Sequence, residues 1–181
     1  QQYREGIIVG SACEAGELIR GIVAGRPDAE LEEMAKFYDF LEIQPIHNND
    51  FLKFDDRFPM QTDEDLRDIN RKVDELARKL GKPLIATCDV HFLNPEDAVY
   101  RAMIQKANGY RDAERQPPLY LRTTEEMLAE FDYLGAERAY ECVVTNPRRI
   151  AEETERFLPI PDELYAPMVP GADREIQEMS Y

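Results

Sequence analysis

The fold is decided by residues 63–91, DEDLRDINRKVDELARKLGKPLIATCDVH. The first part predicts a helix over Asp63–Leu80, because apolar side chains recur at spacings of three and four along it. Thr62 opens a capping box at its start, and Gly81 ends it. The apolar run at 84–88 then predicts a buried strand. A long amphipathic helix that leads directly into a buried strand is typical of α/β folds.

Upstream, the chain predicts the same kind of unit. Residues 40–44 alternate apolar and polar side chains before Pro45, and residues 6–10 form a short β-type run between glycines. Helices are predicted at 14–24 and 28–38. Successive strand–helix–strand spans imply parallel strands with right-handed crossovers, so we expect an α/β fold built on a parallel sheet or barrel.

The flanking segments divide into helices and irregular stretches. We expect a long surface loop at 46–61 and an extended, proline-containing connector at 158–171. The remaining predicted elements are helices at 94–109, 123–131, 135–145, 146–157 and 172–181, and a short strand at 119–121. The sequence therefore predicts two parts: a main unit at 1–157, and a connector with the start of a helix at 158–181. Both ends are abrupt, which suggests a piece of a longer protein.

Composition narrows the class of protein. The chain has 181 residues, 43% of them hydrophobic, which suits one globular domain. Neither a membrane-spanning run nor a signal peptide is visible, so the cytoplasm is the expected location, with the three cysteines kept as thiols. A formal charge of −15 repels phosphate backbones. We therefore do not expect this chain to be a main DNA-binding surface.

One pair of residues could hold a metal. Asp89 and His91 follow the strand at 84–88, and residues two apart in extended backbone point to the same side. A carboxylate and an imidazole at the carboxyl end of a parallel strand suit zinc, manganese or iron. Cys13, beyond the strand at 6–10 and near a helix start, is a candidate third ligand with a lowered pKa. The alternatives are a loop-capping histidine and a small buried cysteine.

Other polar and sulfur-containing residues favour ordinary structural roles. We expect His47 to be solvated, and Cys88 and Cys142 to pack in the core. Glu42 and Gln44 should face the same side of their strand, where they could line a polar interior. A scattered basic and aromatic set could touch phosphates, although a solvated surface is the safer interpretation. That set comprises Arg111, Arg115, Arg122, Arg148, Arg149, Tyr110 and Tyr120.

Several longer strings resemble one known family, the PolC-type alpha subunit of bacterial DNA polymerase III. They occur in the family's order over essentially the whole chain. The strings are GSACEAGEL (10–18), FYDFLEI (37–43), PLIATCDVHFLNPED (83–97), YLRTTEEML (120–128) and EIQEMSY (175–181).

The resemblance implies a fold, a site and partners. The matching part of the family is the second half of the PHP domain, a distorted (β/α)7 barrel interrupted in PolC by a proofreading exonuclease and followed by the palm. The family's Cys-or-His ligand maps to Cys13, and its closing Asp-x-His maps to Asp89 and His91, with zinc or manganese as the implied metal. The family's early histidine motifs have no counterpart here. Magnesium-dependent nucleotidyl transfer, DNA and the sliding clamp belong to the parent polymerase, and no catalytic polymerase residue lies in this chain.

Two rival functions remain open at this point. One is a stand-alone PHP phosphoesterase, such as a relative of histidinol-phosphate phosphatase. The other is a structural interaction module without a metal. In addition, a barrel that lacks its first strands exposes a sheet edge and an apolar face, so we expect the chain on its own to dimerise, aggregate or rearrange.

Overall fold

A computed structural model describes residues 3–54, 60–160, 162–163 and 168–181. The strands are β1 (Leu41–Ile43) and β2 (Leu84–Ala86). The α-helices are α1 (Glu17–Val23), α2 (Asp28–Lys36), α3 (Asp63–Leu80), α4 (Ala98–Ala107), α5 (Thr124–Glu130), α6 (Ala136–Tyr140), α7 (Asn146–Glu153) and α8 (Ala172–Ser180). Short 3₁₀ helices cover Ile46–Phe54, Pro95–Asp97 and Asp132–Leu134, and a π-helical turn covers Glu141–Thr145.

A small parallel sheet lies at the centre of the described structure. β1 and β2 pair in parallel, with Leu41 opposite Leu84 and Ile43 opposite Ala86. The expected strand at 6–10 is reduced to a single parallel bridge between Gly10 and Phe40. A Cβ at Gly10 would lie 2.3 Å from the Phe40 ring, so only glycine fits there. The parallel arrangement is as predicted, but the strands are shorter.

Helix α3 is the main support of this sheet, and its predicted bounds are confirmed. The Thr62 hydroxyl accepts from the Asp65 backbone N–H, and the Asp65 carboxylate accepts from the Thr62 N–H at 2.8 Å. Gly81 ends the helix in the left-handed conformation, with φ 62°. Val73 and Leu76 on its apolar face are buried in one core with the sheet and α1. Each of these signals is local, which is why the sequence predicts the helix well.

The segment after β1 corrects the prediction of an irregular loop at 46–61. Residues Ile46–Phe54 form a 3₁₀ helix with one kink at Asn49. Of the rest of the predicted loop, residues 55–59 lie outside the described residues and residues 60–61 are irregular. Ile46 and Leu52 are buried in the core. These two apolar side chains pull the segment onto the sheet, which composition alone did not indicate.

Of three predicted helix starts, one is confirmed and two need correction. Asn94 is the N-cap, with a capping box to Asp97, and Pro95 begins a 3₁₀ turn that leads into α4. Asp28, in contrast, is the first residue of α2 and makes no capping hydrogen bond. Asn146 does not cap a new helix, because α6, the π turn and α7 run on without a break. Its side chain is buried and donates to the Leu84 carbonyl of β2 at 2.9 Å.

The last segments carry little of the core. The predicted strand at 119–121 is a single bridge between Phe92 and Tyr120. In the predicted connector, residues 161 and 164–167 lie outside the described part, while Leu158 and Ile160 are exposed. Helix α8 has no buried residue. The packed part of the described chain therefore ends with α7.

Candidate functional site

Asp89 and His91 lie close together beyond the end of β2. The Nδ1 atom of His91 is 2.9 Å from the Asp89 carbonyl oxygen and 3.8 Å from Asp89 Oδ1. A carbonyl oxygen can only accept, so Nδ1 donates the proton, and in the neutral imidazole Nε2 carries the lone pair. His91 is held in turn by its backbone N–H, which donates to the Leu119 carbonyl at 2.8 Å. The pair therefore offers one imidazole nitrogen and one carboxylate that face solvent.

The proximity arises in a different way from the one predicted. β2 ends at Ala86, and Asp89 has a left-handed backbone with φ 55°. The alternation of side chains in an extended strand therefore does not apply at Asp89. A tight local turn, closed by the hydrogen bond from His91 to the Asp89 carbonyl, brings the two side chains together instead.

The pKa of the Cys13 thiol is shifted in the direction opposite to the prediction. It lies in the turn before α1, where we expected the helix start to lower its pKa. Burial instead raises the pKa of the Cys13 thiol, and the neighbouring Glu14 raises it further, while a backbone hydrogen bond from Ala15 acts in the opposite direction. The thiol is the dominant form near neutral pH, so metal binding would have to displace its proton.

The described residues contain one group of three potential ligands whose atoms all lie within 4.8 Å of one another: His47, Asp50 and Asp63. Cys13, Asp89 and His91 do not form such a group in this structure. Their assignment as metal ligands is untested and stays a prediction.

The His47, Asp50 and Asp63 group was missed by the sequence analysis, which expected a solvated His47. The Nδ1 atom of His47 is 3.1 Å from Asp50 Oδ1, and its Nε2 is 4.0 Å from Asp63 Oδ2. His47 and Asp50 are three residues apart in a 3₁₀ helix, where that spacing places side chains on one side. The same spacing extends to Lys53, so the signal was present but was hidden by the loop assignment.

The ammonium group of Lys53 already fills the cation position of this group. Its Nζ lies 2.8 Å from Asp50 Oδ1 and 2.7 Å from Asp63 Oδ1. Asp50 and then Asp63 raise the pKa of Lys53, and Lys53 lowers the pKa of Asp63. The arrangement ties the 3₁₀ helix to the first turn of α3, and a divalent metal would have to displace the lysine.

Polar side chains gather where β1 and β2 end. Thr87 donates to the Glu42 carboxylate at 2.7 Å, and the Gln44 amide lies 3.3 Å from the same carboxylate oxygen. Glu42 and Gln44 therefore face the same side, as predicted. The side-chain oxygens of Gln44 and Asn48 are buried, and neither has a hydrogen-bond partner among the described residues. Buried acceptors of this kind favour a bound water or another donor at the carboxyl end of the sheet.

The predictions for the other two cysteines and for the basic residues have mixed outcomes. Cys88 packs against the core, and Cys142 is fully buried, both as predicted. Arg122, which was grouped with surface residues, is instead 6% exposed. Its guanidinium bonds to Glu130 at 3.1 Å and stacks over the Tyr120 ring at 4.5 Å. Arg122 is therefore a core-anchoring residue and is not free to contact phosphates.

A groove of about 450 Å³ lies beside His91. It is lined by His91 and Phe92 and by residues of α4 that include Tyr100 and Ile104. Both α4 side chains are more than half exposed. Within the described residues, no helix is long and apolar enough to cross a membrane.

Comparison with known proteins identifies close relatives but no matching family model. The chain is 50% identical over 179 residues to the PolC-type DNA polymerase III of Clostridium perfringens, covering 99% of this chain and 12% of that protein. It is 42% identical over 185 residues to the PolC-type enzyme of Bacillus subtilis, covering 100% of this chain and 13% of that protein. The corresponding protein of Thermotoga maritima is 43% identical over 181 residues.

These similarities extend over the whole chain, but the chain spans only 12–13% of the length of these curated relatives. The 181 residues are thus similar, from end to end, to one segment of PolC-type DNA polymerase III.

Proposed function

We propose that this chain is part of a bacterial replicative DNA polymerase of the PolC type, whose activity is DNA-directed DNA synthesis. The observation that carries the proposal is 42–50% identity to proteins of that name over 99–100% of the chain. The nucleotidyl transfer and its magnesium ions then belong to residues outside these 181. DNA and replisome proteins, including the sliding clamp, are the proposed partners of the whole polymerase.

Within that polymerase, the chain is proposed to be the second half of a PHP domain, at 1–157, followed by a connector and the start of a helix at 158–181. Two observations support a barrel-like arrangement. β1 and β2 pair in parallel, and an isolated parallel bridge joins Gly10 to Phe40. The proposed role is a scaffold for the polymerase core. The polar residues at the strand ends are consistent with such a scaffold, since ligands gather at that edge of parallel sheets.

Cys13, Asp89 and His91 are the proposed metal ligands, with zinc or manganese as the ion. The free Nε2 lone pair of His91 and the nearby Asp89 carboxylate support this assignment. A bound ion would act there as a Lewis acid. The chain's own contribution is to orient His91 through its Nδ1 proton and its backbone hydrogen bond to Leu119.

Primer extension by the protein encoded by the intact gene tests the polymerase proposal. We expect the purified full-length protein to extend a primed template with deoxynucleotides and magnesium. A short reading frame without polymerase activity, but with phosphatase activity on small phosphate esters, would overturn the proposal in favour of the stand-alone phosphoesterase.

Metal analysis of the same full-length protein tests the ligand assignment. We expect Cys13→Ala, Asp89→Asn and His91→Gln each to lower the bound zinc or manganese, because each removes one ligand. Cys88→Ala and His47→Gln are matched controls that should leave it unchanged. Equal metal content in all five variants and the wild type would rule out this ligand assignment, and a wild-type protein without zinc or manganese would support the metal-free structural module.

A further inference from the structure

The groove between His91 and α4 carries a further inference, which rests on the proposed function. α4 has no buried residue, and its apolar side chains Tyr100, Met103 and Ile104 are 63%, 64% and 64% exposed. Apolar residues at this helical spacing normally face a core. Three of them exposed on one short helix mark a surface that is built to be covered.

One side of α4 contacts a following segment of the chain. Residues 111–116 lie along that side, where Gln116 bonds to Arg101 and Gln105, and Lys106 pairs with Glu114. The groove beside it is lined by Tyr100 and Ile104, by His91 and Phe92, and also by Arg101 and Gln105, which contact Gln116. A volume of about 450 Å³ is large enough for several side chains of another segment.

The charges at the groove indicate the chemistry of the occupant. Arg101 lines the groove, and within the described part of the chain its guanidinium bonds to the neutral Gln116 amide and to no carboxylate. The other charged residue in the lining, Asp97, has its carboxylate engaged by the Asn94 backbone N–H at 2.9 Å. Among the described residues, the groove therefore presents one cation without a carboxylate partner beside an apolar lining. It fits an apolar segment that carries a carboxylate.

Overall charge disfavours two other occupants at low ionic strength. A second copy would bring a further formal charge of −15 towards a chain of the same charge, and DNA would be repelled in the same way. The relatives, in contrast, contain 87–88% of their length outside the part that this chain matches. We propose that the groove between His91 and α4 docks an apolar, carboxylate-bearing segment of the same polypeptide from outside these 181 residues.

Alkylation of an engineered cysteine in the full-length protein tests the docking. Ile104→Cys is labelled with a maleimide under native and denaturing conditions, and the product is mapped by peptide mass spectrometry to separate it from the natural cysteines. The native protein should react at least about tenfold more slowly at this position, because labelling requires local opening. Glu137→Cys, on the exposed side of α6, is the control and should react at similar rates in both states.

A second variant tests the charge. Adding Arg101→Glu to Ile104→Cys should restore rapid native labelling, since it places a carboxylate against the carboxylate of the docked segment. Native labelling of Ile104→Cys as fast as in denaturant would overturn the proposal. Protection that depends on protein concentration would identify a second copy instead, and protection only after addition of primed DNA would identify DNA.

The two proposals can fail separately. Primer extension is measured on the same preparations, so protection without polymerase activity would remove the proposed function alone. Polymerase activity with an unprotected Ile104→Cys would remove the docking proposal alone.

Discussion

At the scale of single residues, Tyr133 links three parts of the structure. The Asn70 amide of α3 donates to the Tyr133 hydroxyl at 2.8 Å and to the Gln44 carbonyl at 2.9 Å. The guanidinium groups of Arg67 and Arg71 lie 5.7 Å and 5.5 Å from the Tyr133 ring. Burial raises the pKa of Tyr133 from 10.0 to about 12, and this outweighs the lowering by Asn70 and the arginines.

This shift predicts a loss of stability at alkaline pH. The folded state holds the Tyr133 proton more tightly, so the associated stability is complete below pH 10 and is lost as the pH rises towards about 12. Urea unfolding of wild type and Tyr133→Phe across this range measures the effect. The fall in the free energy of unfolding should be shallower in Tyr133→Phe, whereas Tyr110→Phe, at an exposed ring, should follow wild type. Identical slopes in all three proteins would contradict the assignment.

The residues of the site show what sequence reasoning can and cannot reach. The proximity of Asp89 to His91 was predicted, because the two residues are two positions apart and follow the same strand. The pairing of His47 with Asp63 was not, since it depends on a 3₁₀ helix that the loop assignment hid. The raised pKa of Cys13 depends first on burial, which is a property of the folded chain and not of the local motif.

At the scale of elements, the success of each prediction follows the range of the interactions involved. α3 was predicted to the residue because its cap, its apolar spacing and its terminal Gly81 are adjacent in sequence. Asn146 was misassigned as a cap because its partner, the Leu84 carbonyl, is 62 positions away. The lengths of the predicted strands were overestimated for a related reason. Ile7 and Ile8 have strand propensity, but both are exposed in the structure.

The contact between Asn146 and Leu84 predicts a specific loss of stability. Asn146→Ala leaves the Leu84 carbonyl without the amide donor, and an unsatisfied buried acceptor costs about 1–3 kcal/mol. Urea denaturation should therefore give a free energy of unfolding lower by about that amount. The control is Glu152→Ala, at an exposed glutamate of α7, where we expect a change within about 0.5 kcal/mol. Equal effects of the two substitutions would show that Asn146 is not a structural tether.

At the scale of the whole molecule, two opposing features set the behaviour of the chain on its own. Exposed apolar side chains on α4 favour association, while the formal charge of −15 opposes it. The repulsion between copies is screened by salt, with a Debye length of about 30 Å at 0.01 M and about 3 Å at 1 M. The contacts between apolar surfaces are not screened in this way.

We therefore expect self-association of the 181-residue chain to increase with salt. Sedimentation velocity at low and high ionic strength measures it directly. Ile104→Glu should reduce the association at high salt, because it places a charge in the apolar face of α4, while Glu137→Ala should not reduce it. A monomer at every salt concentration would contradict this prediction, and a monomer that also melts cooperatively would contradict the sequence-based expectation that the chain dimerises, aggregates or rearranges.

The left-handed backbone at Asp89 has a practical consequence for experiments on this protein. Asparagine tolerates that conformation and keeps the shape of aspartate, so it removes the negative charge alone. Alanine would remove the charge and also force a methyl side chain into a conformation that disfavours it, by about 1–2 kcal/mol. Glycine would also delete the carboxylate, but it would relax the turn. A comparison of these three replacements would thus separate what the oxygen atoms contribute from what the bend in the main chain contributes.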